Sequence, residues 1–129
     1  MIYLDTSVAL AQLFAEDTTP PAALWKESLV SSRLLEYEIF TRLHARRLAS
    51  SHGEAARLLV SQIGLLELAP PVLARALDPF PVPVRTLDAL HLASIDFLRA
   101  RGQSVRFASY DARLSEAANR LGIESYPLT

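Results

Sequence analysis

The 129-residue sequence contains no cysteine, only four glycines, and one lysine among its thirteen basic residues. The absence of cysteine excludes disulfide bonds and thiolate metal sites. No GxxxxGK segment is present, which argues against a nucleotide-driven enzyme with a glycine-rich phosphate loop. The chain also has no basic leader followed by a long apolar run, and no apolar stretch long enough to span a bilayer. We therefore expect a cytoplasmic protein without a membrane partner.

The composition is that of a folded protein with a real core. Half of the residues are hydrophobic and 21% are charged, which excludes a disordered chain. The length predicts a single domain over residues 1–129. The net charge of −1 neither favours nor excludes a nucleic-acid partner. Twelve arginines suit the recognition of phosphate, although a GC-rich genome would produce the same bias.

Short apolar runs alternate with segments of helical periodicity along the whole chain. Hairpin turn signals are missing, so the pattern predicts an α/β fold with a central parallel sheet and helices on both faces. In such folds, ligands bind at the carboxyl edge of the strands. The predicted strands are 2–4, 29–31, 67–69, 105–108 and 124–126, and the predicted helices are 6–16, 34–50, 53–66, 72–77, 86–101 and 111–121, with an extended loop at 79–84.

Four carboxylates stand at the ends of these elements among apolar residues. Asp5 closes the first strand, Asp111 follows the strand at 105–108, and Glu38 and Asp88 lie near helix starts. If the fold gathers them at one edge, their repulsion would raise some of their pKa values unless they share a cation. Oxygen ligands without cysteine suit Mg²⁺ or Mn²⁺ better than zinc. The chain is therefore predicted to be a metal-dependent enzyme.

Each of these acids also has a simpler interpretation. Asp88 and Asp111 are suitably placed to cap helices, and Glu38 could be a solvated helix residue like its neighbour Glu36. Helical phase favours Glu38 over Glu36 as the member of the site. Four acids at corresponding ends of successive elements argue against four unrelated caps.

Hydroxyl groups lie beside the acids. Thr6, Ser7 and Ser109 are predicted to orient a carboxylate or to bind water held by the metal, with helix capping as the alternative for Thr6 and Ser7. His91, one helical turn after Asp88, is predicted to be a packed or surface histidine, and a position facing the same cleft is the alternative.

The helix that carries Glu38 also carries the densest basic cluster of the chain. Arg42, Arg46 and Arg47 follow Glu38 and are candidate contacts for a phosphate backbone that passes the acidic centre. A solvated helix face is the alternative for each of them.

The four acids and their flanks resemble the PIN-domain family, in particular the VapC-type toxins of bacterial toxin–antitoxin pairs. The segments that carry the resemblance are 2–7, 31–38, 87–93 and 109–114. It implies a three-layer α/β/α sandwich and an Mg²⁺- or Mn²⁺-dependent endoribonuclease that hydrolyses RNA with metal-activated water. It also implies a cognate antitoxin and a homodimer. Carried over residue by residue, Asp5, Glu38, Asp88 and Asp111 match the family's catalytic and metal-binding acids.

Other functions remain open at this stage. A non-catalytic PIN-like module that docks a partner would keep the fold without hydrolysis, and a housekeeping nuclease would process RNA without an antitoxin. A phospho-acceptor receiver domain needs a lysine late in the chain, whereas Lys26 is the only lysine. A haloacid-dehalogenase-like phosphatase needs a second aspartate where this chain has Ser7.

Overall fold

A five-stranded parallel sheet lies at the centre of the protein. The computed structural model describes residues 1–15 and 17–129. The strand order across the sheet is β3-β2-β1-β4-β5, and every neighbouring pair of strands is parallel. The strands are β1 (Ile2–Leu4), β2 (Leu29–Ser32), β3 (Gly64–Leu66), β4 (Arg106–Ala108) and β5 (Glu124–Ser125).

Helices connect the strands and cover both faces of the sheet. Among the described residues the α-helices are α1 (Thr6–Phe14), α2 (Arg33–Ala45), α3 (Ala49–Ser61), α4 (Pro70–Ala76), α5 (Thr86–Ala100) and α6 (Ala112–Arg120), and a short 3₁₀-helix covers Ala22–Lys26. None of the helices in this part of the chain combines the length and the apolar character needed to cross a membrane.

The alternating side chains of β1 divide the core into two layers. Ile2 and Leu4 pack with buried residues of α1, α2 and α3 on one face of the sheet. Tyr3 points to the opposite face and packs with buried residues of α5 and α6, as the two-residue repeat of a strand requires. The predicted three-layer α/β/α sandwich is therefore confirmed.

The predicted helix over 34–50 is too long. Helix α2 ends at Ala45, and α3 begins at Ala49 rather than at residue 53. Arg47 adopts a left-handed backbone with φ 56°, and the Leu48 N–H bonds to the Leu43 carbonyl at 2.8 Å. This is a Schellman-type helix end, which usually has glycine at the left-handed position. Arginine gives no such signal, so sequence analysis does not predict the break between α2 and α3.

The predicted strand over 67–69 is wrong, and so is the end of the helix predicted over 53–66. Helix α3 ends at Ser61, and Gly64–Leu66 form β3, which pairs with β2 through Val30 and Gly64. Pro70 does not stop a strand. It opens α4, because the first turn of a helix needs no N–H donor from proline.

The second half of the chain follows the predictions more closely. Residues 79–84 contain no helix or strand. The Thr86 hydroxyl makes this residue a candidate cap for the helix predicted over 86–101, but Thr86 is instead the first residue of α5, and Arg85 occupies the cap position without a side-chain capping bond. Gly102 and Gly122 follow α5 and α6 with φ of 84° and 80°, conformations that favour glycine. The predicted end of the first helix, Glu16, lies outside the described residues.

Candidate active site

The carboxyl edge of the sheet opens into a cleft of about 650 Å³. Strand β1 delivers Asp5 to this edge, and α2 begins directly after β2 and carries Glu38. Helix α5 contributes Asp88, and the segment after β4 contributes Asp111. All four acids predicted from the sequence line this one cleft, together with Thr6, Ser7, Leu10, Arg42, Arg85, Thr86, Leu87 and Arg113.

Asp5 is the most deeply placed of the four acids, with 7% of its surface exposed. Ser7 donates to Asp5 Oδ2 at 2.6 Å, and Ser109 donates to the same oxygen at 2.8 Å. Oδ1 has no hydrogen bond within residues 1–15 and 17–129. Two hydroxyls thus fix the carboxylate and leave one of its oxygens for another ligand.

The same hydroxyls fasten the segment after β4. The Tyr110 N–H donates to Ser7 Oγ at 3.0 Å, and the Asp111 N–H donates to Ser109 Oγ at 2.9 Å. Ser7 and Ser109 therefore accept from the backbone and donate to Asp5. Neither Ser7 nor Thr6 caps α1 through its side chain, so the structure does not support the capping alternative for these two residues.

Glu38 is held through one oxygen. Thr6 Oγ1 donates to Glu38 Oε1 at 2.8 Å, and His91 Nε2 lies 2.7 Å from the same oxygen. Oε2 has no hydrogen bond in the described part of the chain. Glu36 lies 3.7 Å from Arg33 and does not line the cleft, so the structure places Glu38 and not Glu36 with the other acids.

Asp88 and Asp111 stand at the starts of α5 and α6. Burial raises the pKa of the Asp88 carboxyl, and the charges of Asp111 and Asp5 raise the pKa further. Asp111 is exposed and caps α6, because its Oδ1 accepts from the Leu114 N–H at 3.1 Å. Its Oδ2 has no hydrogen bond among the described residues. Asp111 is therefore a cap and part of the cleft at once.

The three arginines predicted to contact a phosphate backbone lie in different places. Arg42 lines the cleft, and Arg46 lines an adjoining groove of about 600 Å³ that shares Ser7, Leu10 and Arg42 with it. Arg47 lines neither.

Sequence analysis missed two arginines in the cleft, Arg85 and Arg113. Both arginines could have been predicted from their closeness to Asp88 and Asp111 in the sequence, because residues that flank an acid at one edge of the sheet lie at the same edge.

His91 is buried, which agrees with its interpretation as a packed histidine, and it lies behind Glu38 rather than in the lining of the cleft. Its Nδ1 lies 2.7 Å from the Tyr3 hydroxyl, and its Nε2 faces Glu38. Sequence analysis did not identify Tyr3, because an aromatic residue in an apolar strand is ordinarily a packing residue.

Comparison with known proteins agrees with this geometry. A sequence model described as the PIN domain matches residues 2–120. The chain belongs to the PIN domain family. It is 31% identical to ribonuclease VapC47 of Mycobacterium tuberculosis (strain CDC 1551 / Oshkosh), over 95% of this chain and 93% of that protein. It is 30% identical to ribonuclease VapC46 of Mycobacterium tuberculosis (strain ATCC 25618 / H37Rv), with the same coverage of both chains. The family resemblance seen in the sequence is confirmed.

The cleft of this PIN domain suits a hard divalent cation that keeps part of its water. Asp5, Glu38 and Asp111 each keep one oxygen that accepts no hydrogen bond from the described residues, and oxygen donors suit Mg²⁺. Among residues 1–15 and 17–129, no group of three or more His, Asp or Glu side chains is arranged to hold a metal ion by itself. Mg²⁺ does not need such a group, since it usually binds one or two carboxylates directly and reaches the others through water.

Proposed function

We propose that this PIN domain is an Mg²⁺- or Mn²⁺-dependent endoribonuclease and the toxin of a toxin–antitoxin pair. The observation that carries the proposal is the gathering of four carboxylates in one cleft. Asp5, Glu38 and Asp111 each have one oxygen that accepts no hydrogen bond within the described ranges 1–15 and 17–129. The two relatives named ribonucleases support RNA as the substrate. The whole chain, residues 1–129, would act as one nuclease domain.

In this proposal, Asp5 and Asp88 make the most direct contacts to the metal, and Glu38 and Asp111 complete the site directly or through water. A bound divalent ion supplies polarisation of the phosphate and a more acidic water. Ser7 and Ser109 hold Asp5 in one orientation, and Thr6 does the same for Glu38. Water loses a proton to solvent and attacks the phosphorus atom, the bond to the 3′ oxygen breaks, and the 3′ oxygen takes up a proton from solvent and leaves as a hydroxyl. No side chain acts as a nucleophile.

The basic residues of the cleft suit an RNA backbone. Arg42, Arg85 and Arg113 line the same cavity as the acids, and guanidinium groups bind phosphate oxygens in a planar fork. We propose that these three arginines hold the phosphates next to the scissile bond. Arg46 would hold the strand where it leaves the cleft along the adjoining groove.

The partners are proposed from the family. The VapC names of the two relatives support a cognate antitoxin protein. A cytoplasmic setting is part of the same proposal. A homodimer agrees with the apolar side chains exposed around α4, since Leu77 is 88% exposed and Leu73 is 43% exposed. Sedimentation analysis of the purified protein would measure the oligomeric state directly.

The test is cleavage of a labelled structured RNA by purified, antitoxin-free protein with Mg²⁺ or Mn²⁺, with and without EDTA. Cleavage that EDTA and the Asp5→Asn substitution both abolish would support the nuclease. A folded protein that binds metal and RNA but cuts none of a diverse RNA pool would instead favour a non-catalytic docking module. Cleavage without any antitoxin gene beside this one would favour a housekeeping nuclease.

A further inference from the structure

A chain of buried polar groups extends behind the cleft, from Glu38 into the core. His91 joins Glu38 to Tyr3, with distances of 2.7 Å on each side of the imidazole. Tyr3 is 0% exposed and His91 is 1% exposed, so neither residue reaches substrate. We propose that Tyr3 and His91 are positioning residues, which set the orientation of the Glu38 carboxylate for the divalent cation.

The chemistry of the three groups determines which one donates and which one accepts in each hydrogen bond. The Glu38 carboxylate only accepts, so His91 Nε2 carries the hydrogen and donates to Oε1. In the neutral ring, Nδ1 is then an acceptor, and the Tyr3 hydroxyl donates to it. Thr6 donates to the same oxygen of Glu38. Together these bonds leave Oε2 as the oxygen available to a ligand.

The packing around Tyr3 and His91 makes this arrangement rigid. The two rings meet edge to face at 5.8 Å between centroids, and Phe107 lies 6.1 Å from the Tyr3 ring. Tyr3 belongs to β1 and His91 to α5. The pair therefore ties together the two elements that carry Asp5 and Asp88.

The Tyr3 hydroxyl and the His91 imidazole lie in the core beside the buried hydroxyls of Ser31 and Ser94, and polar groups at such depth need a reason beyond packing. Burial raises the pKa of the Tyr3 hydroxyl and keeps it protonated as a donor. A phenylalanine would fill the same space without the demand for a partner, since an unsatisfied buried polar group is costly. Orientation of a metal-binding carboxylate through the far side of an imidazole supplies that reason, and partners of this kind commonly tune metal affinity.

This inference rests on the proposed function, because it assumes that Glu38 serves a metal. The experiment measures Mn²⁺ affinity by calorimetry, together with kcat and KM on RNA, for the full chain. The variants are Tyr3→Phe, His91→Leu, His91→Gln and the double variant Tyr3→Phe/His91→Leu. Tyr126→Phe is the matched control, because Tyr126 stacks against Arg106 away from the cleft. Thermal unfolding of each variant separates loss of fold from loss of orientation.

We expect His91→Leu to weaken Mn²⁺ binding by about 10-fold, the lower end for partners of metal ligands. His91→Gln should recover part of this loss, because its amide restores an N–H donor toward Glu38. Tyr3→Phe should weaken binding and lower kcat without changing KM. In the His91→Leu background, Tyr3→Phe should have no further effect on Mn²⁺ affinity, because its influence passes through His91.

Wild-type Mn²⁺ affinity in folded Tyr3→Phe and His91→Gln proteins would overturn the inference, even if their melting temperatures fall. An equal loss of Mn²⁺ affinity on Tyr3→Phe in the unmodified protein and in the His91→Leu variant would also overturn the inference, because it would indicate that the two residues act independently. Failure of the proposed function gives a different result. In that case the unmodified protein would not cut RNA, and the Asp5→Asn substitution would not weaken Mn²⁺ binding. If His91→Leu does not fold, Tyr3→Phe and His91→Gln still decide the matter.

Discussion

Ser109 Oγ donates to Asp5 Oδ2 at 2.8 Å, across 104 positions of the sequence. The bond joins the segments that follow β1 and β4, which are neighbours in the sheet. The acid at the end of one strand is thus oriented by a hydroxyl at the end of the next. The sheet, rather than any local motif, assembles this part of the site.

Replacement of Asp5 by asparagine should abolish RNA cleavage and preserve the fold. The amide keeps the shape of the side chain but removes the charge that would hold a divalent cation. Since metal catalysis contributes several kcal/mol, we expect kcat to fall by about 100-fold or more. Single-turnover cleavage and a melting curve would check both parts. Asp78→Asn, at an exposed aspartate after α4, is the control, and full activity in Asp5→Asn would remove Asp5 from the site.

Glu38 and Glu36 form a natural pair for comparison, two residues apart on α2. Glu38→Gln should lower both Mn²⁺ affinity and kcat, because Glu38 lines the cleft. Glu36→Gln should leave both unchanged, since Glu36 lies beside Arg33. The same RNA and calorimetric measurements apply to both variants. The reverse order of effects would show that the acid of the site was misassigned.

Asp88→Asn should stabilise the metal-free protein while it abolishes cleavage. Burial and the charges of Asp111 and Asp5 raise the pKa of Asp88, so the folded state disfavours the carboxylate. A raised carboxyl pKa stabilises the fold at low pH, and this contribution is lost as the pH rises through the folded-state value. At pH 7 the neutral amide therefore avoids repulsion that the aspartate suffers. Melting temperatures in EDTA should be higher for Asp88→Asn, and Mg²⁺ should raise the melting temperature of the unmodified protein more than that of the variant.

The arginines of the cleft should act on RNA affinity and on its salt dependence. Loss of one phosphate contact from single-stranded RNA should reduce the slope of log affinity against log salt by about 0.7. We expect this change in Arg42→Ala and in Arg113→Ala, measured in an Asp5→Asn background to prevent cleavage. Arg120→Ala is the control, because Arg120 pairs with Glu116 on the surface of α6. An equal change in Arg120→Ala would point to a general effect of net charge.

Arg47→Gly should stabilise the protein. Arg47 has a φ of 56° at the end of α2, where glycine avoids the steric penalty of a side chain. Glycine also loses more conformational entropy on folding than arginine does. After this cost is subtracted, the free energy of unfolding should rise by about 0.5–1 kcal/mol. Urea unfolding would measure it. Arg101→Gly, at a helix end with φ −91°, should give no gain.

Sequence analysis predicted the gathering of the four acids at one edge better than it predicted the element boundaries. Asp5 and Asp111 were visible because each follows a short apolar strand, and parallel strands bring their carboxyl ends to one edge. Strand β3 was misplaced because the leucine-rich stretch around Gly64 satisfies helical and strand periodicity alike.

The contact between Tyr3 and His91 had no sequence signal. The two residues are 88 positions apart, and each alone has an ordinary place in the core. Only the packing of α5 on β1 brings them together.

The strand order has a consequence for synthesis of the protein. Strand β1 is made first, but it lies between β2 and β4, and the Asp5 N–H bonds to the Ala108 carbonyl at 2.9 Å. A ribosome must therefore have added β4 before β1 gains its second neighbour and before Ser109 reaches Asp5. A nascent chain that ends before β4 lacks Ser109 and Asp111, so it cannot assemble the cleft.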